Sequence, residues 1–298
     1  MSQRALKALY DRGVNISAHL RGNGHSTPEA IEISYDLQAG SYIAELADPA
    51  FAQFNVDRAR AIARIIRGLC TPASILEAGV GDGTTLAAVV NSMDDDYLRV
   101  YGFDLSWSRA AYAKNWLRLV ETEHPTICTG DLRHIPFADD SIDVVYTAHS
   151  IEPNRGSEVT ILRELYRVTR QYLLLLEPAY ELCSTEARAR MDRHGYCRGI
   201  AETARSLGYS VLEHRLFEHS RPLINPTALT LIRKDSRAPL PAHALACPRF
   251  KTPLKDIAGA LYSSEALAVY PVIGGIPCLR IEKAILASKY AEIMGAIK

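Results

Sequence analysis

The sequence lacks long hydrophobic runs and paired cysteine motifs, and each absence argues against a class of protein. No window approaches the roughly 18–20 consecutive apolar residues of a membrane-spanning helix, and the first twenty residues contain no apolar core of the kind found in a signal peptide. The six cysteines form no CxxC pair in a chain of 298 residues, which favours free thiols over a disulfide framework. We therefore expect a cytoplasmic protein without a membrane span.

The sequence also lacks an excess of charge of either sign. Its 34 Lys and Arg residues balance 34 Asp and Glu residues, so the formal net charge is zero. Proteins that bind nucleic acid usually show a basic excess or a basic stripe. The densest basic stretch, residues 58–67, has the pattern of an amphipathic helix with its arginines facing water. The composition therefore predicts no nucleic-acid partner.

Short apolar strands alternate with helices from about residue 56. Strands are predicted at the following residues: 74–78, 98–103, 125–129, 142–147, 172–177, 210–217 and 228–233. This alternation predicts an α/β fold with a mostly parallel seven-stranded sheet, helices on both faces and the two late strands antiparallel at one edge. A polar, proline-bearing stretch at 234–241 marks a boundary. We expect an N-terminal helical extension (1–55), a central domain (56–234) and a small C-terminal appendage (235–298).

A glycine-rich segment, Glu-Ala-Gly-Val-Gly-Asp-Gly at 77–83, lies between a predicted strand and a predicted helix. Glycine permits a tight turn and a close approach of ligand to backbone, and the helix start offers free N–H groups. A nucleotide-type ligand fits this position, although an ordinary connecting loop can have the same composition. A dinucleotide-binding dehydrogenase is the other alternative, but Gly79, Gly81 and Gly83 alternate, and Thr84 stands where the third dehydrogenase glycine would be.

The E-x-G-x-G-x-G pattern resembles that of class I S-adenosylmethionine-dependent methyltransferases. The resemblance continues with Asp104 at the end of the second strand, and with Gly-Asp-Leu at 130–132 followed by Ile-Pro-Phe-Ala-Asp-Asp-Ser-Ile-Asp-Val-Val at 135–145. That block is similar to small-molecule methyltransferases such as those of ubiquinone and menaquinone. The resemblance covers roughly residues 56–180 and implies a Rossmann-like domain that binds S-adenosylmethionine. The implied cofactor residues are Glu77, Gly79, Gly81, Gly83, Asp104, Leu105, Asp131, Leu132 and His149.

The same resemblance implies individual roles. Asp104 would accept hydrogen bonds from the ribose hydroxyls, Asp131 from the adenine amino group, and the Leu132 N–H would meet an adenine ring nitrogen. From the residues alone, Asp104 could equally cap a helix and Asp131 could close a turn. Tyr35 and Tyr42 resemble a Y-D-x-x-A-x-x-Y segment that covers bound cofactor in related enzymes, with core packing as the alternative.

Methyl transfer from a sulfonium is an in-line displacement, and a hydroxyl acceptor must also lose a proton. The loop after the fourth strand, residues 147–154, contains His149 and Glu152 and lacks the N-P-P-Y motif of methyltransferases that modify amino groups of DNA or protein glutamine. His149 is the first candidate base because histidine titrates near neutrality, although it could instead pack against the cofactor. Glu152 is the second candidate.

Two later clusters could supply an acceptor pocket. The first comprises Tyr180, Arg193, His194 and Tyr196; the second comprises His214, His219, Arg221 and Asn225. His194 is the third candidate catalytic residue, although surface histidines are also common without a function.

The appendage resembles the small zinc-ribbon domain that accompanies and activates certain tRNA, rRNA and translation-factor methyltransferases. Its Val-Tyr-Pro-Val-Ile-Gly-Gly-Ile-Pro at 269–277 matches that pattern, but Cys247 alone remains of the four ligands. Phe250, Ser263 and Ala266 stand at the other positions, and tetrahedral zinc needs four ligands. We therefore expect no metal, an apolar plug formed by Phe250, and a domain that covers a sheet edge or mediates homo-oligomer formation.

These observations predict a methyltransferase that uses S-adenosylmethionine and a small-molecule acceptor. The acceptor group is expected to be a hydroxyl of a saccharide, a lipid-linked intermediate or a secondary metabolite. A methyltransferase of RNA or of a translation factor remains an alternative because of the appendage. A non-catalytic S-adenosylmethionine-binding scaffold is a second alternative.

Overall fold

A seven-stranded sheet forms the centre of the molecule. The computed structural model describes residues 1–21, 26–93, 95, 97–122, 124–220 and 225–295. Its strands are β1 (Ser74–Ala78), β2 (Arg99–Asp104), β3 (Thr126–Thr129), β4 (Ile142–Ala148), β5 (Thr169–Pro178), β6 (Ser210–Leu216) and β7 (Thr227–Arg233). Their order is β3-β2-β1-β4-β5-β7-β6, with β7 antiparallel to both β5 and β6. The predicted mostly parallel sheet is confirmed.

Helices cover both faces because the central strands are apolar on both sides. The first four helices are α1 (Gln3–Tyr10), α2 (Ile16–Arg21), α3 (Pro28–Leu37) and α4 (Ser41–Glu45). On one face lie α5 (Pro49–Leu69), α6 (Thr84–Met93) and α7 (Trp107–Leu119). On the other lie α8 (Glu158–Val168) and, after α9 (Thr185–His194), α10 (Ile200–Ser206). All five residues of β1 are buried, as a two-sided cover requires.

Local signals explain most helix starts. Thr27 caps α3 by accepting the Ala30 N–H, and Pro28 follows at the first helical position. The polar break expected just before it, at residues 22–24, lies outside the described residues.

Two details of the helices differ from expectation. Residues 185–207, which the sequence pattern predicts to be mostly helical, form two helices, because Gly195 and Gly199 adopt φ of +68° and +67° between them. The prediction that every arginine of 58–67 faces water is wrong for Arg58, whose Nε and Nη2 are buried without a hydrogen-bond partner among the described residues. Arg58 precedes Ile62 and Ile66 by four and eight residues, so it lies on the buried stripe of α5.

The appendage packs along the β3 edge of the main sheet. Its four-stranded sheet contains β8 (Lys255–Ile257), β9 (Ala260–Ser263), β10 (Ala268–Tyr270) and β13 (Ile285–Leu286), a hairpin joins β11 (Val272–Ile273) to β12 (Ile276–Pro277), and α11 (Tyr290–Gly295) follows. Cys278 forms a parallel bridge with Thr129, and the Leu279 N–H donates to the Thr129 carbonyl at 3.2 Å. Backbone groups at this edge therefore have partners.

The expected apolar plug in the appendage is wrong. Phe250 is 49% exposed because it lies at the tip of a turn in which the Lys251 N–H donates to the Cys247 carbonyl. The interior is filled by Tyr270, whose hydroxyl lies 3.4 Å from the Cys247 sulfur. Across the described ranges, no group of three or more His, Cys, Asp or Glu side chains is placed to bind a metal.

Two further findings concern the whole chain. None of its six cysteines is in a disulfide. Within the part of the chain that the structure describes, no helix is both long and apolar enough to cross a membrane.

Candidate functional site

A cavity opens at the C-terminal ends of β1, β2 and β4. At this point the chain changes the side of β1 on which it adds strands, since β2 and β3 lie on one side and β4 and β5 on the other. Ligands of open α/β sheets bind at such switch points. Of the predicted residues, those that line this first cavity are Tyr35, Tyr42, Gly79, Gly81, Asp104, Leu105, Asp131, Leu132, His149 and Glu152. Glu77, Gly83 and His194 do not line it.

The glycine loop lies against neighbouring backbone and side chains. Gly79 has a φ of +80°, and a Cβ there would lie 2.2 Å from the Ser150 Cβ. Gly83 also has a φ of +80°, and its Cβ would meet the Ala113 Cα at 2.9 Å. Gly79 therefore lets the loops after β1 and β4 meet at the cavity wall, whereas Gly83 lets α6 pack against α7.

Asp104 fixes two turns at the wall of the first cavity. Its carboxylate accepts the Gly81 N–H and the Ser106 N–H, both at 2.9 Å, and so fixes the glycine loop and the turn into α7. Burial raises the pKa of Asp104, although the Arg109 guanidinium opposes that effect. A carboxylate has about four lone-pair sites, so acceptor capacity remains toward the cavity.

Asp131 closes the turn that was its alternative role, and it also lines the cavity. It accepts the Arg133 N–H at 2.9 Å and forms a salt bridge with the Arg133 guanidinium. Burial alone would raise the pKa of Asp131, but the hydrogen bonds from Arg133 outweigh it and lower the pKa. Leu132 follows at the cavity wall.

Glu77 lies beneath the glycine loop rather than in the cavity. It is 2% exposed, and its carboxylate accepts a hydrogen bond from the Tyr146 hydroxyl at 3.0 Å. Burial raises the pKa of Glu77 to about 8, partly offset by Tyr146 and Arg58. The structure thus places Glu77 as a support for the loop.

The N-terminal helices cover the cavity through one buried cation. The Arg109 guanidinium lies 5.2 Å from the Tyr35 ring centroid and 4.8 Å from that of Tyr42, within the range of cation–π contacts. It also lies 3.4 Å from Asp82, which accepts the Tyr42 N–H at 3.0 Å. Tyr35 and Tyr42 are therefore attached to the glycine loop, as a cover over bound ligand requires.

Glu177, near the end of β5, positions the loop after β4. Its carboxylate accepts the N–H groups of Ser150, Ile151 and Glu152, each at 3.1 Å. Burial raises the pKa of Glu177 to about 7. The loop residues that face the cavity are therefore fixed by a carboxylate from the adjacent strand.

His149 and Glu152 are brought together on this loop. His149 has a φ of +60°, its Nδ1 lies 2.7 Å from Glu152 Oε2, and its Nε2 lies 2.8 Å from the Thr227 hydroxyl. Both ring nitrogens therefore have protein partners. Asn225 lies 3.4 Å from the same Glu152 oxygen, so Glu152 is oriented from two sides.

A second cavity, of about 530 Å³, adjoins the first. It lies between the N-terminal helices and α9, and the residues common to both cavities are Ile31, Tyr35, Glu152 and Pro153. His194 and Tyr196 line only the second, with their rings stacked 5.3 Å apart. The structure thus separates His194 from His149 and places Glu152 at the junction.

The other clustered residues are more scattered. Tyr180 donates to Asp192, Arg193 is exposed on α9, and His214 pairs with Thr230 across β6 and β7. His219 stacks edge-on with Phe217, and Arg221 lies outside the described residues. Asn225 alone of the last cluster contacts a site residue.

Sequence reasoning missed several charged residues of the site: Asp82, Arg109, Arg133, Glu177 and Arg190. Asp82 and Glu177 carried a signal, because each is an acid at or near the end of a buried strand. The arginines carried none, since an arginine on a helix or in a turn usually faces water.

Comparisons with known proteins identify the central part of the chain. Residues 75–172, about a third of the chain, match the family model of the methyltransferase domain. No curated protein is similar enough in sequence to match the chain.

One of the solved structures compared has a TM-score above 0.5, which supports the fold. A protein from Nostoc punctiforme, provisionally named an O-methyltransferase, is 15% identical, covers 67% of this chain and 60% of its own, and gives a TM-score of 0.52. Magnesium protoporphyrin IX methyltransferase from Synechocystis, determined with bound S-adenosylhomocysteine, is 15% identical over 78% of this chain and all of its own, with a TM-score of 0.49. A SAM-dependent methyltransferase from Aquifex aeolicus is 18% identical, covers 54% of this chain and 81% of its own, and gives a TM-score of 0.40.

Proposed function

We propose that this chain, whose residues 75–172 match the methyltransferase domain, transfers a methyl group from S-adenosylmethionine to a hydroxyl group of a small molecule bound in the second cavity. The observation that carries this proposal is the position of Glu152. Its carboxylate lines both cavities, so a single base borders the donor and acceptor spaces.

The residues of the first cavity fit the methyl donor. Gly79 and Gly81 bring backbone with positive φ to the cavity wall, and Asp104 offers an acceptor-only carboxylate to ribose hydroxyls. The Arg109 Nη2 is buried and has no hydrogen-bond partner among the described residues, which suits an anionic group of a ligand. When bound, S-adenosylmethionine supplies an electrophilic methyl group on a sulfonium. We propose that Asp131 and Leu132 contact the adenine, which requires Asp131 to share its carboxylate with Arg133.

Glu152 then acts as the general base. As the acceptor oxygen forms its bond to the methyl carbon, the carbon–sulfur bond breaks and its electron pair stays on the sulfur. The hydroxyl proton passes to the Glu152 carboxylate, so charge and atoms balance. His149 is a positioning residue in this scheme, because both of its ring nitrogens have partners and one of them orients Glu152. His194 contacts the acceptor rather than the donor.

The other parts of the chain have supporting roles in the proposal. Residues 1–55 close both cavities, residues 56–234 carry the chemistry, and the appendage from 235 onward covers the β3 edge. The resemblance of the appendage to a zinc ribbon would then concern its strand pattern and not a metal. The six unpaired thiols support a reducing compartment such as the cytoplasm.

The test is methyl transfer from labelled S-adenosylmethionine to fractionated small metabolites. Glu152→Gln is expected to lower kcat by roughly 10²–10⁴ while leaving S-adenosylhomocysteine affinity within about twofold. Glu202→Gln, which removes an exposed acid from α10, is the matched control and should leave turnover unchanged. His149→Gln should lower kcat less than Glu152→Gln.

Two outcomes contradict the proposal. Full turnover in Glu152→Gln would remove that residue from the chemistry. Label that appears only in RNA or only in protein would show that the acceptor is not a small molecule.

A further inference from the structure

The second cavity has a cationic end, and the proposed methyl transfer assigns no role to its two arginines. Arg21, Arg190 and His194 line it together, on α2 and α9. Its volume of about 530 Å³ lies in the range of small-molecule sites. The positive charge at this end of the second cavity therefore affects which acceptor molecules can bind there.

Arg190 is not fully satisfied by the protein. Its Nη1 is buried and has no hydrogen-bond partner among the described residues. Its guanidinium carbon lies 5.9 Å from the Tyr196 ring centroid, so the aromatic ring limits where it can move. A buried guanidinium nitrogen without a partner loses hydration, unless a ligand supplies an acceptor.

Arg21 adds a second uncompensated charge. Its guanidinium donates to the main-chain carbonyls of Arg193 and His194, which are neutral acceptors. Within the described ranges, no carboxylate lies within 4.0 Å of either Arg21 or Arg190. Two positive charges therefore border this end of the cavity without an ion-pair partner.

The acids of the cavity do not neutralise these arginines. Glu152 is engaged by His149 and Asn225, and Glu45 is exposed. The pKa of His194 responds to these charges. Burial lowers it most, the positive charges of Arg190 and Arg21 lower it further, and Glu152 raises it by a smaller amount. The exposed Arg193 also lowers it, and the Tyr196 ring stacks on it.

We propose that the acceptor is an anion, and that Arg190, with Arg21 beside it, binds its carboxylate or phosphate group in the second cavity. This inference rests on the proposed function, since it names the class of substrate for the same site. Arg190 would be a specificity-determining residue, because a planar guanidinium forms paired hydrogen bonds with either oxyanion.

The test uses inorganic phosphate and acetate as probes of the full chain saturated with S-adenosylhomocysteine, so that the first cavity is filled. The His194 ring resonance, assigned with a His194→Gln variant, is followed by NMR as each anion is added. Phosphate or acetate is expected to raise the His194 pKa by roughly one unit, because an anion near the ring favours the protonated form. Arg190→Gln should weaken that binding about tenfold.

Arg193→Gln is the matched control, since it removes the same charge from the same helix outside the cavity, and it should change anion affinity by less than about twofold. Arg190→Lys keeps the positive charge but lacks the planar guanidinium, so it should retain part of the affinity for the anions. It also keeps the inference testable if Arg190→Gln fails to fold. Tighter phosphate binding would indicate a phosphorylated acceptor, and tighter acetate binding a carboxylated one.

Absence of any shift at His194, or equal binding by wild type and Arg190→Gln, would overturn the inference. Failure of the proposed function has a different signature. It appears as full turnover in Glu152→Gln or as label only in RNA or only in protein, whereas the anion titration measures binding to the second cavity and does not depend on turnover.

Discussion

Three buried carboxylates near the ends of β1, β2 and β5 support the site in different ways. Glu77 bonds Tyr146 under the glycine loop, Asp104 fixes the loop itself, and Glu177 fixes the loop after β4. Burial raises the pKa of all three. The stability of the fold should therefore depend on pH in a direction opposite to that of ordinary surface acids.

Glu77 gives the sharpest prediction of this kind. Its pKa is about 8 in the folded chain, against 4.5 as the ordinary value, so between these pH values the folded state binds more protons than the unfolded state. The free energy of unfolding must then fall as pH rises from about 4.5 through 8. Glu77→Gln, which keeps an acceptor for Tyr146, has no such titration at this position, so its stability relative to wild type should increase by about 1–3 kcal/mol from pH 6 to pH 9.

Urea unfolding at the two pH values measures this difference. Glu202→Gln should follow wild type at both, because it removes an exposed acid. Parallel pH profiles for wild type and Glu77→Gln would contradict the assignment of a protonated Glu77 at neutral pH.

At the residue scale, sequence reasoning found the groups whose roles depend on local backbone. Gly79, Gly81 and Asp104 line the first cavity because a strand, a turn and a helix follow one another in the sequence. Arg58, Arg109 and Arg190 could not be found in that way. An arginine on an amphipathic helix has the same local pattern whether it faces water or a cavity, and only packing between distant elements decides which.

At the scale of elements, the loops after β1 and β4 form one wall of the first cavity. They are in contact where Gly79 meets Ser150, whose hydroxyl donates to the Ala78 carbonyl at 2.7 Å. Any side chain at residue 79 must push these loops apart.

Gly79→Ala should therefore destabilise the fold and weaken S-adenosylhomocysteine binding. The new Cβ would meet Ser150 at 2.2 Å in a backbone with φ of +80°, and we expect a loss of about 2–4 kcal/mol. Gly68→Ala is the control: it lies in α5 with open space around it, and it should stabilise the chain by roughly 0.5–1 kcal/mol. Equal thermal stability of the two variants would refute the described contact.

The strands were predictable because apolar runs of four to seven residues between turn signals are specific to buried strands. The break in the helix at 195–199 was not, since a single glycine is tolerated inside a helix. Gly195 and Gly199 both adopt positive φ, and the short connection between them carries Tyr196 and Cys197 toward the site.

At the scale of the whole molecule, one arginine of the appendage joins the three parts of the chain. Arg280 is 4% exposed, forms salt bridges with Glu32 of α3 and with Glu282, and donates to the Leu105 carbonyl at 3.0 Å. Leu105 lines the first cavity. The appendage is thereby coupled to the cover and to the cofactor loop.

Arg280→Gln should lower the free energy of unfolding by about 1–3 kcal/mol, since it removes the ion pair of a buried guanidinium with Glu32 and its hydrogen bond to the Leu105 carbonyl. It should also weaken S-adenosylhomocysteine binding, while thermal unfolding remains one transition. Arg249→Gln, an exposed position in the same appendage, should alter neither property. Two separate calorimetric transitions in wild type would show that the appendage is not coupled in this way.

The proline-bearing linker predicts where the appendage begins, but the interior of the appendage could not be predicted from the sequence. The prediction of a plug at Phe250 assumed that an apolar residue turns inward when it stands where a zinc ribbon has a metal ligand. The turn at 248–251 instead places the Phe250 side chain at the surface. The interior is filled by Tyr270 of β10, a packing role that the sequence pattern did not predict.

The most direct test of the central claim is calorimetric titration with S-adenosylmethionine, S-adenosylhomocysteine and NAD, on wild type and on Asp104→Asn. The account predicts that both adenosyl ligands bind, that NAD does not, and that Asp104→Asn weakens binding at least about tenfold through the loss of charged hydrogen bonds to ribose. Asp57→Asn, a more exposed acid on α5, should bind like wild type. Binding of NAD alone, or unchanged affinity in Asp104→Asn, would contradict it.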